Sequence, residues 1–143
     1  MTDRSTAPAR STPAAIVLAA VIDVVLVLAF VLIGRGSHGE NVVGGALVTL
    51  WPFAVGLVVG WLVCVAWRRS QAVWPTGVVV WAATLVVGML LRVVSGQGIA
   101  VSFVVVAAIV LAVFLVGWRA VALLARRLTS RRRDRSALAG HRG

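Results

Sequence analysis

The chain has 143 residues, 61% of them hydrophobic and 13% charged, with a formal net charge of +10. A soluble domain is about 45–50% apolar and about 25% charged, so this composition excludes a water-soluble globule and points to a polytopic membrane protein. All fourteen basic residues are Arg, and most lie at segment ends or in the tail, a pattern that marks membrane topology and not nucleic-acid binding.

Residues 1–12 are polar, carry Arg4 and Arg10, and are expected to form a disordered cytoplasmic N-terminus. The run AAIVLAAVIDVVLVLAFVLI follows at 14–33. A signal-peptide core is about 7–15 residues long and ends at a small-residue cleavage site. This run is longer and lacks such a site, so it reads as a retained helix. A spanning helix needs about 20 mostly apolar residues, and four segments qualify: 13–33, 42–66, 75–94 and 99–118. Pro13 suits the first turn of its helix, where a missing N–H is harmless. The breaks GRGSHGEN, RRSQAVW and SGQG are rich in turn formers or charge. The expected fold is therefore all-α, a four-transmembrane-helix bundle over 13–121 followed by a basic tail over 122–143. Short hinges before and after the third span favour antiparallel hairpins.

Four spans bring both termini and the middle connection to one side. Arg4, Arg10, Arg68, Arg69, Arg119, Arg126, Arg127 and the RRRDR cluster fall there, against Arg35 and Arg92 on the other. Positive charge near span ends stays cytoplasmic, so both termini are expected inside the cell membrane. The tail passes from AVALLARRL to a strongly basic run. Arg126, Arg127, Arg131, Arg132 and Arg133 are placed to meet anionic lipid headgroups, at about 1 kcal/mol each near the surface.

Lipid gives helices no hydrophobic reason to associate, so small and polar residues must supply the contact. On the second span Gly45, Thr49, Pro52, Gly56, Gly60 and Cys64 recur every three or four residues, and GLVVG is a G-x-x-x-G match. On the third, Gly77, Trp81, Thr84, Gly88 and Arg92 do the same. Gly56, Gly60 and Gly88 are the expected helix-packing positions, whether within one chain or between two.

Asp23 is the one ionisable side chain within the first span. Such a residue costs about 2.5–3.5 kcal/mol on insertion scales and reads as functional by default. At about 1.5 Å of rise per residue, Thr84 falls at its depth, with Thr49 and Trp51 slightly higher. Arg92 lies near the far edge but leans back toward the start of its helix. Pro52 is expected to kink the second helix and free the carbonyl of Val48. Asp23, Thr49, Trp51, Pro52, Thr84 and Arg92 thus form the candidate intramembrane polar site. Three uses of Asp23 stand open: an interhelical hydrogen-bonding or ion-pairing group, a proton- or cation-binding group in transport, and a contact for a partner's basic residue.

Enzymatic chemistry is not expected. His38 and Glu40 in the SHGEN loop are too few for a metal site, and no catalytic triad, nucleotide loop or Cys cluster is present. The lone Cys64 reads as a packing residue. No metal and no cofactor are expected.

The blocks ID(x)6F(x)3GRGSHGE, TLWPFAVGLVVGWL, GVVVWAATLVVGMLLRVVSGQGIAVSFVVVA and LVGWR resemble an actinobacterial membrane family, the domain of unknown function numbered 3054. The likeness covers about residues 14–121 and includes Asp23, Arg35, Trp51, Pro52, Arg92, Gln97 and Arg119. It implies a four-helix inner-membrane protein and brings no activity, substrate or cofactor with it. Small multidrug transporters offer an analogy, since they too have four helices and a first-helix carboxylate. The sequence thus suggests a small proton- or cation-coupled transporter-like protein. The alternative is a non-catalytic membrane subunit or scaffold that assembles with itself or a partner through its small-residue faces.

Overall fold

A computed structural model describes residues 11–36 and 42–140, with side chains described over 11–34 and 45–131. The expected disordered N-terminus, all but its last two residues, and the loop holding His38 and Glu40 lie outside the described residues. So do the side chains of Arg132 and Arg133.

The described residues are helical, with no strand among them. Helix α1 spans Pro13–Gly36 and α2 spans Val42–Val63; a 3-10 turn at Ala66–Arg68 and a π turn at Val73–Gly77 lead into α3, Val78–Val94. Helix α4, Val101–Leu111, runs through a second π turn, Ala112–Val116, into α5, Gly117–Gly140. Four stretches are long and apolar enough to cross a membrane: Pro13–Gly34, Gly45–Val63, Val73–Val94 and Val101–Arg131. The fourth was expected to end near Trp118, yet its helix continues into the basic tail. Residues 118–136 contain no Gly or Pro to stop it, and Ala, Leu and Arg are among the best helix formers.

Apolar side chains dominate the outer faces, with Val17, Leu47, Leu62, Val86, Val94, Ile109 and Val113 all exposed. In water so much exposed apolar surface would drive aggregation; it suits contact with hydrocarbon. The interior is built around Val27, Phe30, Phe53, Leu57, Val80, Leu111 and Leu115. Phe30 meets Phe53 edge-on with ring centroids 5.1 Å apart, and Phe103 lies 6.4 Å from both. Gly88 makes room for this aromatic group, because a Cβ there would sit 2.6 Å from the Phe53 ring. On α2, Gly56 and Gly60 press against α3: added Cβ atoms would lie 2.8 Å from the Thr84 carbonyl oxygen and 2.9 Å from the Val80 Cα. The G-x-x-x-G segment therefore packs two helices of the same chain backbone to backbone. Across the other side of α3, the Trp81 indole donates to the Ala108 carbonyl on α4 at 2.9 Å.

The connection from α2 to α3 is drawn into the molecule. Ser70 and Ala66 are fully buried. The Ser11 N–H donates to the Arg68 carbonyl, and the Ser11 hydroxyl oxygen accepts from the Ser70 N–H at 3.0 Å and from its hydroxyl at 3.2 Å. Irregular backbone at membrane depth is tolerated only where protein or a wet cavity satisfies it, and here the start of α1 supplies the partners. The turn is opened by Val65 at φ 49°, ψ 50°. A β-branched residue in the left-handed region is a genuine outlier and costs roughly 1–2 kcal/mol. Glycine adopts that region freely but loses more entropy on folding. Val65→Gly should therefore raise unfolding stability by about 0.5–1 kcal/mol, measured by denaturation in detergent micelles; a loss of stability would mean that the valine side chain matters more than its backbone.

Candidate functional site

Asp23 comes from the first half of α1 and is fully buried, as is Arg119 near the start of α5. The two meet as a forked pair: Nη1 donates to Oδ1 at 2.8 Å and Nη2 to Oδ2 at 2.7 Å. Each carboxylate oxygen also receives an indole N–H, Trp118 Nε1 on Oδ1 and Trp61 Nε1 on Oδ2, both at 2.9 Å. A carboxylate offers about four lone-pair sites, and all are taken. Parallel charge-assisted bonds of this kind are strong and directional, and a buried ion pair needs such added hydrogen bonds to offset its desolvation.

The guanidinium is equally engaged. Its Nε donates to the Ser70 carbonyl at 3.1 Å, and Nη1 also donates to the Leu115 carbonyl at 2.7 Å. Leu115 lies in the π turn, where the helical ladder changes register, and π turns recur at functional positions. The Arg119 Cζ sits 4.7 Å from the Trp118 ring centroid, a cation–π contact. Gly77 gives the arginine stem its space, since a Cβ there would fall 3.0 Å from Arg119 Cδ. Arg119 thus ties α1, the α2–α3 connection and its own helix at one point.

Asp23 takes none of these hydrogen bonds from the other residues expected around it. Arg92 donates to Gln97 Oε1 at 3.0 Å and to the Gly98 carbonyl at 3.5 Å, and its Cζ stands 4.7 Å from the Phe103 centroid. It serves the hairpin between α3 and α4, and the partner of Asp23 is Arg119 instead. Thr84 is buried and donates to the Val80 carbonyl in its own helix at 2.7 Å. Trp51 is 42% exposed on the outer face. Thr49 is buried on α2, and α2 continues as one helix through Pro52. Depth explains the regrouping. Arg119 reaches Ser70 and Asp23 together, so Asp23 belongs to the end of the molecule that holds the α2–α3 connection. Among the described residues no group of His, Cys, Asp and Glu could hold a metal ion.

Residues 20–122 match the profile of a family described as a protein of unknown function, DUF3054. The match covers most of the chain. This protein belongs to the DUF3054 family. No curated protein and no solved structure matches it. The matched region of this DUF3054 member runs from just before Asp23 to just after Arg119, so it contains both halves of the ion pair.

Sequence reasoning missed Trp61, Ser70, Trp118 and the role of Arg119 in this DUF3054 chain. Arg119 follows the last apolar span directly and so was counted with the topology charges. One signal could have singled it out. Side chains on a helix lean toward its N-terminus, which for Arg119 is back toward the apolar stretch. That rule was applied to Arg92, but it holds equally for Arg119.

Proposed function

We propose that this protein is a multi-pass protein of the cytoplasmic membrane, with both termini inside, and that it works as a non-catalytic scaffold or subunit. Its rigid helices hold the long basic helix α5 at the inner leaflet, within reach of anionic headgroups or an acidic partner. The observation that carries this reading is the saturation of Asp23 by Arg119, Trp61 and Trp118. A buried carboxylate that served as a carrier for protons or cations would need to exchange partners during the cycle. This one is spent on fixing the helix that carries the basic run. Gly56 and Gly60 are occupied within the chain, which favours the exposed side chains of α5, Val121, Leu124 and Leu128 among them, for assembly.

The test is reconstitution into vesicles. The Asp23→Asn, Arg119→Gln double variant keeps no unpaired buried charge, so it is the fair comparison with wild type. Proton and cation flux should equal that of protein-free vesicles for both. Replacing Arg131, Arg132 and Arg133 with Gln should release any membrane protein that co-purifies. Coupled flux in the wild type that disappears in the double variant would replace the scaffold with a transporter.

A further inference from the structure

At the end of the molecule that holds the α2–α3 connection, a cleft of about 360 Å³ opens between three elements. Its walls are Ser11, Thr12 and Ala15 at the start of α1, Arg69, Gln71 and Ala72 in the connection, and Arg126 on α5. We propose that this cleft is a binding site for the phosphodiester headgroup of one anionic phospholipid. The inference rests on the chain being a membrane protein and is independent of the scaffold role.

The donors match that chemistry. Arg69 and Arg126 approach from different elements, and neither carries an ion pair among the described residues. The Ser11 hydroxyl oxygen accepts from Ser70, and the Thr12 hydroxyl oxygen accepts from the Ala15 N–H at 3.3 Å. Each hydroxyl therefore keeps its own proton for an incoming oxygen. The first turn of α1 contains no acidic residue, so nothing there offsets the positive end of the helix dipole, which favours an anion.

Gln71 adds a second requirement. Its Oε1 is buried without a hydrogen-bond partner, and an unpaired buried acceptor is costly. Gln71 lines the cleft, and a donor on a bound ligand would satisfy that oxygen. Phosphate oxygens cannot supply one, but a hydroxyl on the headgroup can. The site thus selects a phosphodiester carrying a hydroxylated headgroup, with the acyl chains running along the apolar outer faces.

The full chain in a mild neutral detergent is titrated with phosphatidylglycerol, with phosphatidylcholine and with inorganic phosphate, and bound lipid is counted by native mass spectrometry. One phosphatidylglycerol should be retained at least tenfold more tightly than phosphatidylcholine, and millimolar phosphate should not displace it. Arg69→Gln and Arg126→Gln should each lower retention at least tenfold. Ala15→Leu, which fills the cleft and keeps every charge, should do the same, so a folding defect in one variant leaves the others decisive. Arg131→Gln, outside the cleft, removes only the diffuse attraction of one surface charge and should lower retention no more than about fivefold, less than either cleft variant. Equal binding of the two lipids, or wild-type retention by the cleft variants, would overturn the site. An equal loss in Arg131→Gln would reduce it to diffuse attraction by the basic helix, and displacement by phosphate would make it a free-anion site.

Discussion

Arg119→Gln and Asp23→Asn should each cost about 3–5 kcal/mol of unfolding stability, the penalty for leaving one charge of a buried pair uncompensated. The double variant should cost clearly less than the sum. Two facing amides carry no net charge, and they can still accept from the indoles and donate to the Ser70 carbonyl. Some loss remains, because an amide has fewer donors than a guanidinium and each buried group left unpaired costs about 1–3 kcal/mol. The cycle is measurable by denaturation in micelles with tryptophan emission as the probe. Two of the six tryptophans, Trp61 and Trp118, donate to Asp23, so part of the emission change comes from the site itself. Strictly additive costs, or single losses below about 1 kcal/mol, would mean that the pair behaves like a solvated surface bridge and is no lock.

The same pair marks the boundary of what the sequence could tell. Four apolar runs of about 20 residues admit one secondary structure, so the helices were legible from hydropathy alone. Asp23 was legible as an anomaly, because a charge in an apolar run requires compensation wherever the helix packs. Its partner was harder to find. The topology rule assigns every Arg at a span end to the headgroup layer, and Arg119 satisfies that rule by position while violating it by burial. The connection RRSQAVW misled in a similar way. Charge and turn formers indicate a surface hinge, and Arg68 and Arg69 are indeed exposed, but Ser70 between them and α3 is swallowed whole. A buried serine carbonyl has no pattern along the chain; it follows from the packing of α1 and α5 around it. Arg92 shows the converse. It was expected to lean toward the start of its helix, and instead the acceptors that follow it in the chain, at Gln97 and Gly98, outcompeted a distant carboxylate.

Gly56→Ala should destabilise the protein by about 1–3 kcal/mol, the range for overpacking a filled interior, and Gly56→Leu should reach or exceed the upper end. The atoms that a Cβ would meet are the Thr84 carbonyl oxygen at 2.8 Å, the Thr84 Cα at 2.9 Å and the Ala83 carbonyl oxygen at 3.1 Å. All three belong to the backbone of α3, so no side-chain rotation relieves the clash and the helices must move apart. Separation would loosen Gly60 from Val80 one turn below, since both contacts lie on one stripe. In lipid such close approach is itself the source of helix affinity, so the loss is not regained by hydrophobic packing. Gly117 provides the control. A Cβ there meets nothing within 4 Å, and removing a helical glycine gains about 0.5–1 kcal/mol. Opposite signs for Gly56→Ala and Gly117→Ala in the same denaturation assay are the expected outcome. A neutral Gly56→Ala would show that α2 and α3 can part freely, and the backbone contact would then have no part in holding the Asp23–Arg119 end together.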